Sequence, residues 1–453
     1  MPLSASILNA LEAAGVATGV RLVNATAART PVPGSARGVL LQTGGERVLL
    51  LVPASALLDP HRVRACFGGQ PRLVARAELE PLLAQHGLGA VPAVPGALAA
   101  RTVLDGALDA EAKLLLDSGD PGTWIELGRA AFAELSRGAQ RIGGCTVPIP
   151  AAVAPAHEQD LVDVRHALAR DTRRRIEARL QDTLSLPPMP GTARRILQLA
   201  CQGEPDLEAL ARTVELDPSL AAQVMGWALS PLFSAGKSVN SVRDAIFRVL
   251  GSDLVMSLSL AISLGRTLSV PRTTGDELGY WHQAVYCAAT MERLARRSTA
   301  AISPGTSYLC GLLHNFGHLI HAAAFPTSFA EVRGWQPLNA HVGYPAIERH
   351  LLGATRDQFA ALLLEEWGLP ASLCMAVRLQ AEPGSAREHP LATLLCLAGA
   401  MLRARYPTDR APLAPDPELA RSVGLTGAQL DEAGAELLER APQLDAMARQ
   451  LAA

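Results

Sequence analysis

The apolar positions divide the chain into a first part made of short alternating runs and a second made of helix-length ones. Ser6 to Gly15 has the spacing of a short amphipathic helix stopped by glycine. Gly38 to Thr43 and Arg47 to Val52 are strand-like and joined by Gly44-Gly45, which predicts a β-hairpin. After Pro53-Ala54-Ser55 the run LLDPHRVRACFGG reads as a helix, and strand and helix signals alternate through TWIELGRAAFAEL. This texture predicts a mixed α/β unit over residues 1–155. Pro148, Pro150 and Pro155, set among alanines and valines, mark its end.

A charged stretch follows at 156–183, with Leu161, Val164, Leu168 and Ile176 on one side, and is expected to be a linker helix. Its Arg173-Arg174-Arg175 run reads as a solvated face. From Leu184 to the end the pattern is helix after helix. Leu186 to Pro190 is an extended lead-in, because each proline restricts its predecessor. Thr192 is expected to cap the next helix, Asp217-Pro218 to open another, and Ser241 with Asp244 a third that Gly251 ends. After Thr426 a last amphipathic segment is expected to bury Leu430, Ala433, Leu437 and Leu438 against the body or a partner chain.

Ser307 to Phe325, SYLCGLLHNFGHLIHAAAF, organises this second part. It is predominantly apolar yet carries His314, Asn315, His318 and His321. As one buried helix it places the three histidines on one side at i, i+4 and i+7. Gly311 and Gly317 weaken such a helix.

Composition adds limits. The 453 residues, 49% hydrophobic and 19% charged, suit two or three domains with their own cores. A net charge of -2 gives no broad basic surface for nucleic acid and no polybasic membrane anchor. Seven cysteines, odd in number, far apart and without a CxxC pair, support neither a disulfide framework nor a zinc ribbon, and suit a reducing compartment. With no basic n-region and no uncharged apolar run of about 18 residues, the expectation is a cytoplasmic location and no membrane partner.

LPPMPGTARRILQLA, VELDPSLAAQVMGWALSPLF, VNSVRDAIFRVLGSDLVMSLSLA, GLLHNFGHL and LLEEWGLPASL occur in one order over about 184–380 and resemble the HDOD domain, a bacterial signalling relative of the HD phosphohydrolases. The resemblance implies an all-helical domain over 184–453. An HD phosphohydrolase holds divalent metal with a first histidine, a His-Asp pair and later aspartate or histidines, and the metal lowers the pKa of an attacking water. In this sequence Gln283 stands at the first histidine, with His282 one residue away, and Asn315 at the aspartate. Arg356 stands at a histidine common in relatives, Leu379-Gln380 at a His-His pair, and His318 at the lysine that usually follows the pair. No catalytic metal is therefore expected. The three histidines read either as hydrogen-bonded core or groove residues or as a new metal site needing a fourth group; alternatively Gln283, His314, Asn315 and His318 line a pocket for a nucleotide-like ligand.

In the first part, the hairpin followed by LVPAS, the Gly87-Leu88-Gly89-Ala90-Val91-Pro92 turn and Val103-Leu104-Asp105 resemble the YbaK/prolyl-tRNA-deacylase-associated domain, which in relatives removes wrongly attached amino acids from tRNA. That resemblance implies a pocket lined by Arg37, Gly89 and Asp105. Catalytic members carry a lysine at the start of the first hairpin strand, near the ester carbonyl and tRNA phosphate. This sequence has Arg37 there, and its only lysines are Lys113 and Lys237. Arginine keeps the charge and is not an equivalent group.

The fold class expected is α+β, a YbaK-like mixed α/β domain followed by an all-α HDOD domain. The function implied is non-catalytic signal transduction through protein contacts or a small ligand, without a cofactor and with a homo-oligomer left open. The enzyme alternatives are a metal phosphohydrolase in the second part and an aminoacyl-tRNA deacylase in the first, which alone would bring tRNA as a partner.

Overall fold

The computed structural model describes residues 3–17, 20–24, 34–68, 71–120, 122–151, 156–177, 189–200, 206–229, 239–265, 277–405 and 414–452. Leu186 to Pro188 of the expected lead-in, Pro155, Lys237 and the side chains of Arg173-Arg174-Arg175 and Ile176 lie outside the described residues. Contacts divide the chain into two compact units. The first is Met1–Ala152 together with Glu331–His350; the second holds Val153–Ala330, Leu351–Thr408 and Pro412–Ala453.

The first unit is built on strands β1 (Arg21–Asn24), β2 (Ser35–Thr43), β3 (Glu46–Pro53), β4 (Ala56–Leu58), β5 (Arg72–Leu73), β6 (Arg101–Asp105), β7 (Lys113–Asp117), β8 (Thr123–Gly128), β9 (Gln140–Ile142) and β10 (Thr146–Pro148). Their order in the main sheet is β1-β8-β7-β2-β3-β6-β9, with β5 also on β2, while β10 and β4 form a separate ribbon. The predicted hairpin is present, Thr43 pairing with Glu46 across Gly44-Gly45 at φ 57° and 84°. Both turn residues sit in the left-handed region that glycine enters without a steric penalty. Helices α1 (Ala5–Ala13), α2 (Pro60–Phe67), α3 (Arg76–Gln85) and α4 (Arg129–Leu135) complete it. The expected helix LLDPHRVRACFGG begins late, since Ala56–Leu58 pairs with β10 and α2 starts at Pro60 under the Asp59 cap.

Strand alternation sends successive residues to opposite sheet faces. One face packs Ala36, Leu40, Leu49, Leu51 and Leu104 against α1 and α3 residues such as Ile7, Leu11 and Leu82. The other packs Val39, Leu41, Leu50, Val52, Val103 and Cys145, with Leu338 against them.

The second unit is helical: α5 (His157–Glu177), α6 (Gly191–Ala200), α7 (Leu207–Glu215), α8 (Pro218–Leu229), α9 (Val242–Asp244, continuing as a π-helix over Ala245–Leu250), α10 (Ser252–Gly265), α11 (Glu277–Arg297), α12 (Pro304–Leu313), α13 (Phe316–Ala324), α14 (Pro326–Trp335), α15 (Tyr344–Leu351), α16 (Arg356–Glu366), α17 (Ala371–Leu379), α18 (Pro383–Ala386), α19 (Pro390–Arg405), α20 (Pro417–Ser422), α21 (Gly427–Glu439) and α22 (Ala441–Ala452). Residues 331–350, at the end of α14 and through most of α15, count with the first unit. Asp217 accepts from Ser219 and Leu220, and Ser241 from Asp244, as expected of caps. Thr192 is not a cap, because α6 already begins at Gly191.

The supposed linker helix α5 is part of the second unit. Among its described side chains Asp160, Val164 and Ala167 are buried. Asp160 receives Arg378 Nε at 2.5 Å, Arg378 Nη2 at 2.9 Å and Gln358 Nε2 at 2.7 Å. The C-terminal segment is two helices, packed on α11 through Arg293 Nε to Glu436 at 3.2 Å and His282 to Asp445 at 2.7 Å. Leu430, Ala433 and Leu437 are buried, whereas Leu438 is 51% exposed. No described helix is long and apolar enough to cross a membrane.

Candidate functional site

The stretch Ser307 to Phe325 is two helices and not one. α12 ends at Leu313, His314 is its last cap residue, and α13 restarts after Asn315. The break follows from two close approaches. A Cβ at Gly311 would lie 2.4 Å from Ala288 Cα of α11, and one at Gly317 would lie 2.3 Å from the Arg356 carbonyl oxygen of α16. Each half-segment seats its own glycine against a different neighbour, so the chain turns between them. His314, His318 and His321 consequently do not share one helical face. His321 is fully buried beside Phe325 and Phe329.

His314 Nδ1 is 2.7 Å from the Gly311 carbonyl oxygen, which assigns the ring proton to Nδ1. Asn315 Nδ2 donates to Gln283 Oε1 at 3.3 Å, at the exposed edge of α11. Gln380 Nε2 donates to the His314 carbonyl at 2.7 Å and to Asp357 Oδ1 at 2.8 Å. Arg356 Nη1 donates to His318 Nδ1 at 3.1 Å, and His318 packs edge-on to Phe329. Gln283, His314, Asn315 and His318 are thus brought to one junction, joined by Arg356 and Gln380.

These donors do not fit a divalent cation. Asn315 and Gln283 are neutral amides engaged with each other, Arg356 is a permanent cation, and the Asp357 carboxylate is held by Gln380. Among the described residues no three His, Cys, Asp or Glu side chains are grouped to hold a metal. His282, the neighbour of Gln283, is committed elsewhere. It pairs with Asp445 and stacks on Tyr286 with ring centres 4.4 Å apart.

The three residues of the expected deacylase-like pocket do not converge. Gly38, adjacent to Arg37, faces the Gly87–Pro92 turn, where an added Cβ would meet the Pro92 carbonyl at 2.2 Å. Gly89 in that turn donates its N–H to the Gly119 carbonyl at 3.0 Å. Arg37 points to the opposite face by strand alternation. There it donates through Nη1 to the Leu338 carbonyl at 3.0 Å and through Nη2 to Asn339 Oδ1 at 3.2 Å. Asp105 shares the Arg37 face two strands away, about 10 Å by strand spacing, and serves locally by accepting from Ala107 N and Thr146 Oγ1.

Asn339 was not singled out by any sequence pattern. Its amide accepts from Leu58 N at 2.8 Å and donates to Leu58 O at 2.9 Å, completing β4 as a strand neighbour would. A lone Asn in PLNAHVG gives no signal of this, because its partners are distant in sequence.

The HDOD domain model matches residues 186–383. Over its full length the chain is similar to a crystal structure from Marinobacter aquaeolei VT8, a protein proposed to act in signal transduction, with 33% identity, a TM-score of 0.84 and complete coverage of both chains. The chain carries an HDOD domain over residues 186–383. The HDOD protein also resembles a proposed trans-editing enzyme for prolyl-tRNA synthetase, at 22% identity and a TM-score of 0.27, covering 31% of this chain and 98% of that one. An uncharacterized protein of Treponema pallidum (strain Nichols) is 23% identical over 224 residues, 48% of this chain and 42% of that relative's length.

Proposed function

We propose that this HDOD protein is a non-catalytic component of signal transduction that acts through protein contacts. The observation that carries the reading is the polar junction: the positions at which an HD phosphohydrolase would bind metal hold Gln283, Asn315, Arg356 and Gln380, of which Asn315 bonds Gln283, Arg356 bonds His318 and Gln380 bonds the His314 carbonyl. The full-length likeness to a protein proposed to act in signal transduction supports it. A hydrolytic pair of metals needs anionic ligands to offset its charge, and Asp357 alone is a carboxylate among these contacts.

The test is elemental analysis of tag-free full-length protein, with turnover of a panel of phosphoesters in added Mn²⁺ or Mg²⁺, run beside His314→Ala. Substoichiometric metal and no turnover in either protein is expected. Stoichiometric metal with turnover, both lost in the variant, overturns the reading.

A second reading, a nucleotide-like ligand at the same junction, is favoured by one feature: Gln283 is exposed while Asn315 and His318 are half-buried, so amide and imidazole edges reach the surface together. Calorimetric titration with nucleotides, against Gln283→Ala, tests it. The deacylase alternative loses support from Arg37, whose guanidinium is committed to Leu338 and Asn339.

A further inference from the structure

In the first unit, side chains stand along β4 where a neighbouring strand would pair. β4 pairs with β10 on one edge, and among the described residues no strand pairs with the other. There the Asn339 amide accepts from Leu58 N at 2.8 Å and donates to Leu58 O at 2.9 Å, while His341 Nε2 donates to the Ala54 carbonyl at 3.1 Å. Leu338, between Pro337 and Asn339, packs against the cluster of Val39, Leu41 and Leu50. Arg37 completes the contact. It is 8% exposed and donates to the Leu338 carbonyl at 3.0 Å and to Asn339 Oδ1 at 3.2 Å, neither of which carries a charge. Its Nε is buried without a partner, and burial pulls the guanidinium pKa down to about 9.

We propose that this edge of β4 is a docking site for an extended peptide bearing a carboxylate, and that residues 335–341 occupy it as an intramolecular stand-in. An extended peptide adds to β4 as a strand, its backbone N–H and C=O replacing the Asn339 amide at Leu58. The position of Asn339 Oδ1 is then free for a carboxylate, which gives Arg37 the charge partner that a carbonyl and an amide do not. An apolar side chain beside it takes the place of Leu338 on the Val39, Leu41 and Leu50 cluster. The stand-in meets the polar groups here incompletely: Arg37 Nε and its own Trp335 Nε1 and His341 Nδ1 are buried without hydrogen-bond partners. A strand that brings an anion therefore satisfies the edge better than the segment it displaces.

The probes are two fluorescent peptides: GWQPLNAHVG, which copies residues 334–343, and the same peptide carrying Asn339→Asp. Fluorescence anisotropy measures their binding to the full-length protein and to its Asn339→Ala variant. The Asp peptide should bind the variant at least about tenfold more tightly than the Asn peptide does, the worth of one charged hydrogen bond. It should also bind the variant at least about tenfold more tightly than the unmutated protein, in which the tethered segment competes. Adding Arg37→Leu to the variant should erase the preference for Asp. Hydrogen exchange on the unmutated protein does not depend on the variant folding: excess Asp peptide should speed exchange across 335–343 and leave the Leu58 amide protected. Equal affinity of the two peptides, no binding to a variant with unchanged circular dichroism, or exchange at 335–343 unmoved by the Asp peptide overturns the proposal.

Discussion

Asp160 offers the sharpest test of how the helical unit is held. Its carboxylate is 9% exposed and faces an Arg378 guanidinium that is 4% exposed, at 2.5 Å. Asp160→Ala removes three hydrogen-bond acceptances and leaves Gln358 Nε2 and two Arg378 nitrogens in a buried setting. Breaking a buried pair from one side costs about 3–5 kcal/mol. Arg378 retains Glu382 at 3.0 Å, so the guanidinium is not fully orphaned and the lower end applies, about 3 kcal/mol. For a unit of this size that corresponds to a fall in Tm of about 6–12 °C. Thermal unfolding followed by circular dichroism measures it, and hydrogen exchange should show α5 amides losing protection first. Asp160→Leu with Arg378→Met should recover part of the loss, since the apolar pair removes the two facing charges while Glu382 loses one of its partners. A change in the single variant below about 0.5 kcal/mol, with α5 exchange unaltered, would refute the docked helix and restore the linker.

Gly317→Ala should destabilise the helical unit by 2 kcal/mol or more, because the new Cβ meets backbone at 2.3 Å; Gly44→Ala, with open space but φ 57°, should cost only about 1 kcal/mol. Equal Tm shifts for the two would contradict the close approach of α13 and α16. Asn339→Ala should cost about 3 kcal/mol in the first unit, since Leu58 N and O and an Arg37 nitrogen lose their partner, and chemical denaturation would detect it. Burial raises the Asp117 carboxyl to about 6, opposed by the Gly119 N–H and assisted by Asp120. The folded state therefore binds more protons between about pH 4 and 6, and stability falls as pH rises through that window. Asp117→Asn should be stabilising at pH 8 and nearly neutral at pH 4, and a Tm–pH profile parallel to wild type would count against it.

Much of the candidate site was legible in the order of motifs. Gln283, Asn315, Arg356 and Gln380 stand in the sequence where the HD pattern places ligands, and the fold brings each to the His314 junction. The geometry of the histidines was not legible. The i, i+4, i+7 spacing assumed an unbroken helix, and what breaks it is the packing of Gly311 on Ala288 and Gly317 on Arg356, contacts made with other helices. The linker reading failed for a related reason: of the apolar stripe of α5 traced through Leu161, Val164 and Leu168 only Val164 is fully buried, and the row's strongest tie is the charged Asp160, which no hydrophobic pattern can report.

By itself the sequence determined the α+β class, the hairpin with its Gly44-Gly45 turn, several helix starts and which side chains stand at the junction, Gln283, Asn315, Arg356 and Gln380, because these depend on local conformation and on the identity of single side chains. Only the tertiary structure decided that residues 331–350 return to the first unit, and that Arg37 faces Asn339 and not the Gly87–Pro92 turn. Those outcomes turn on which sheet face a residue occupies and on which distant backbone carries an unmet hydrogen bond, and both are set when elements far apart in the chain pack together.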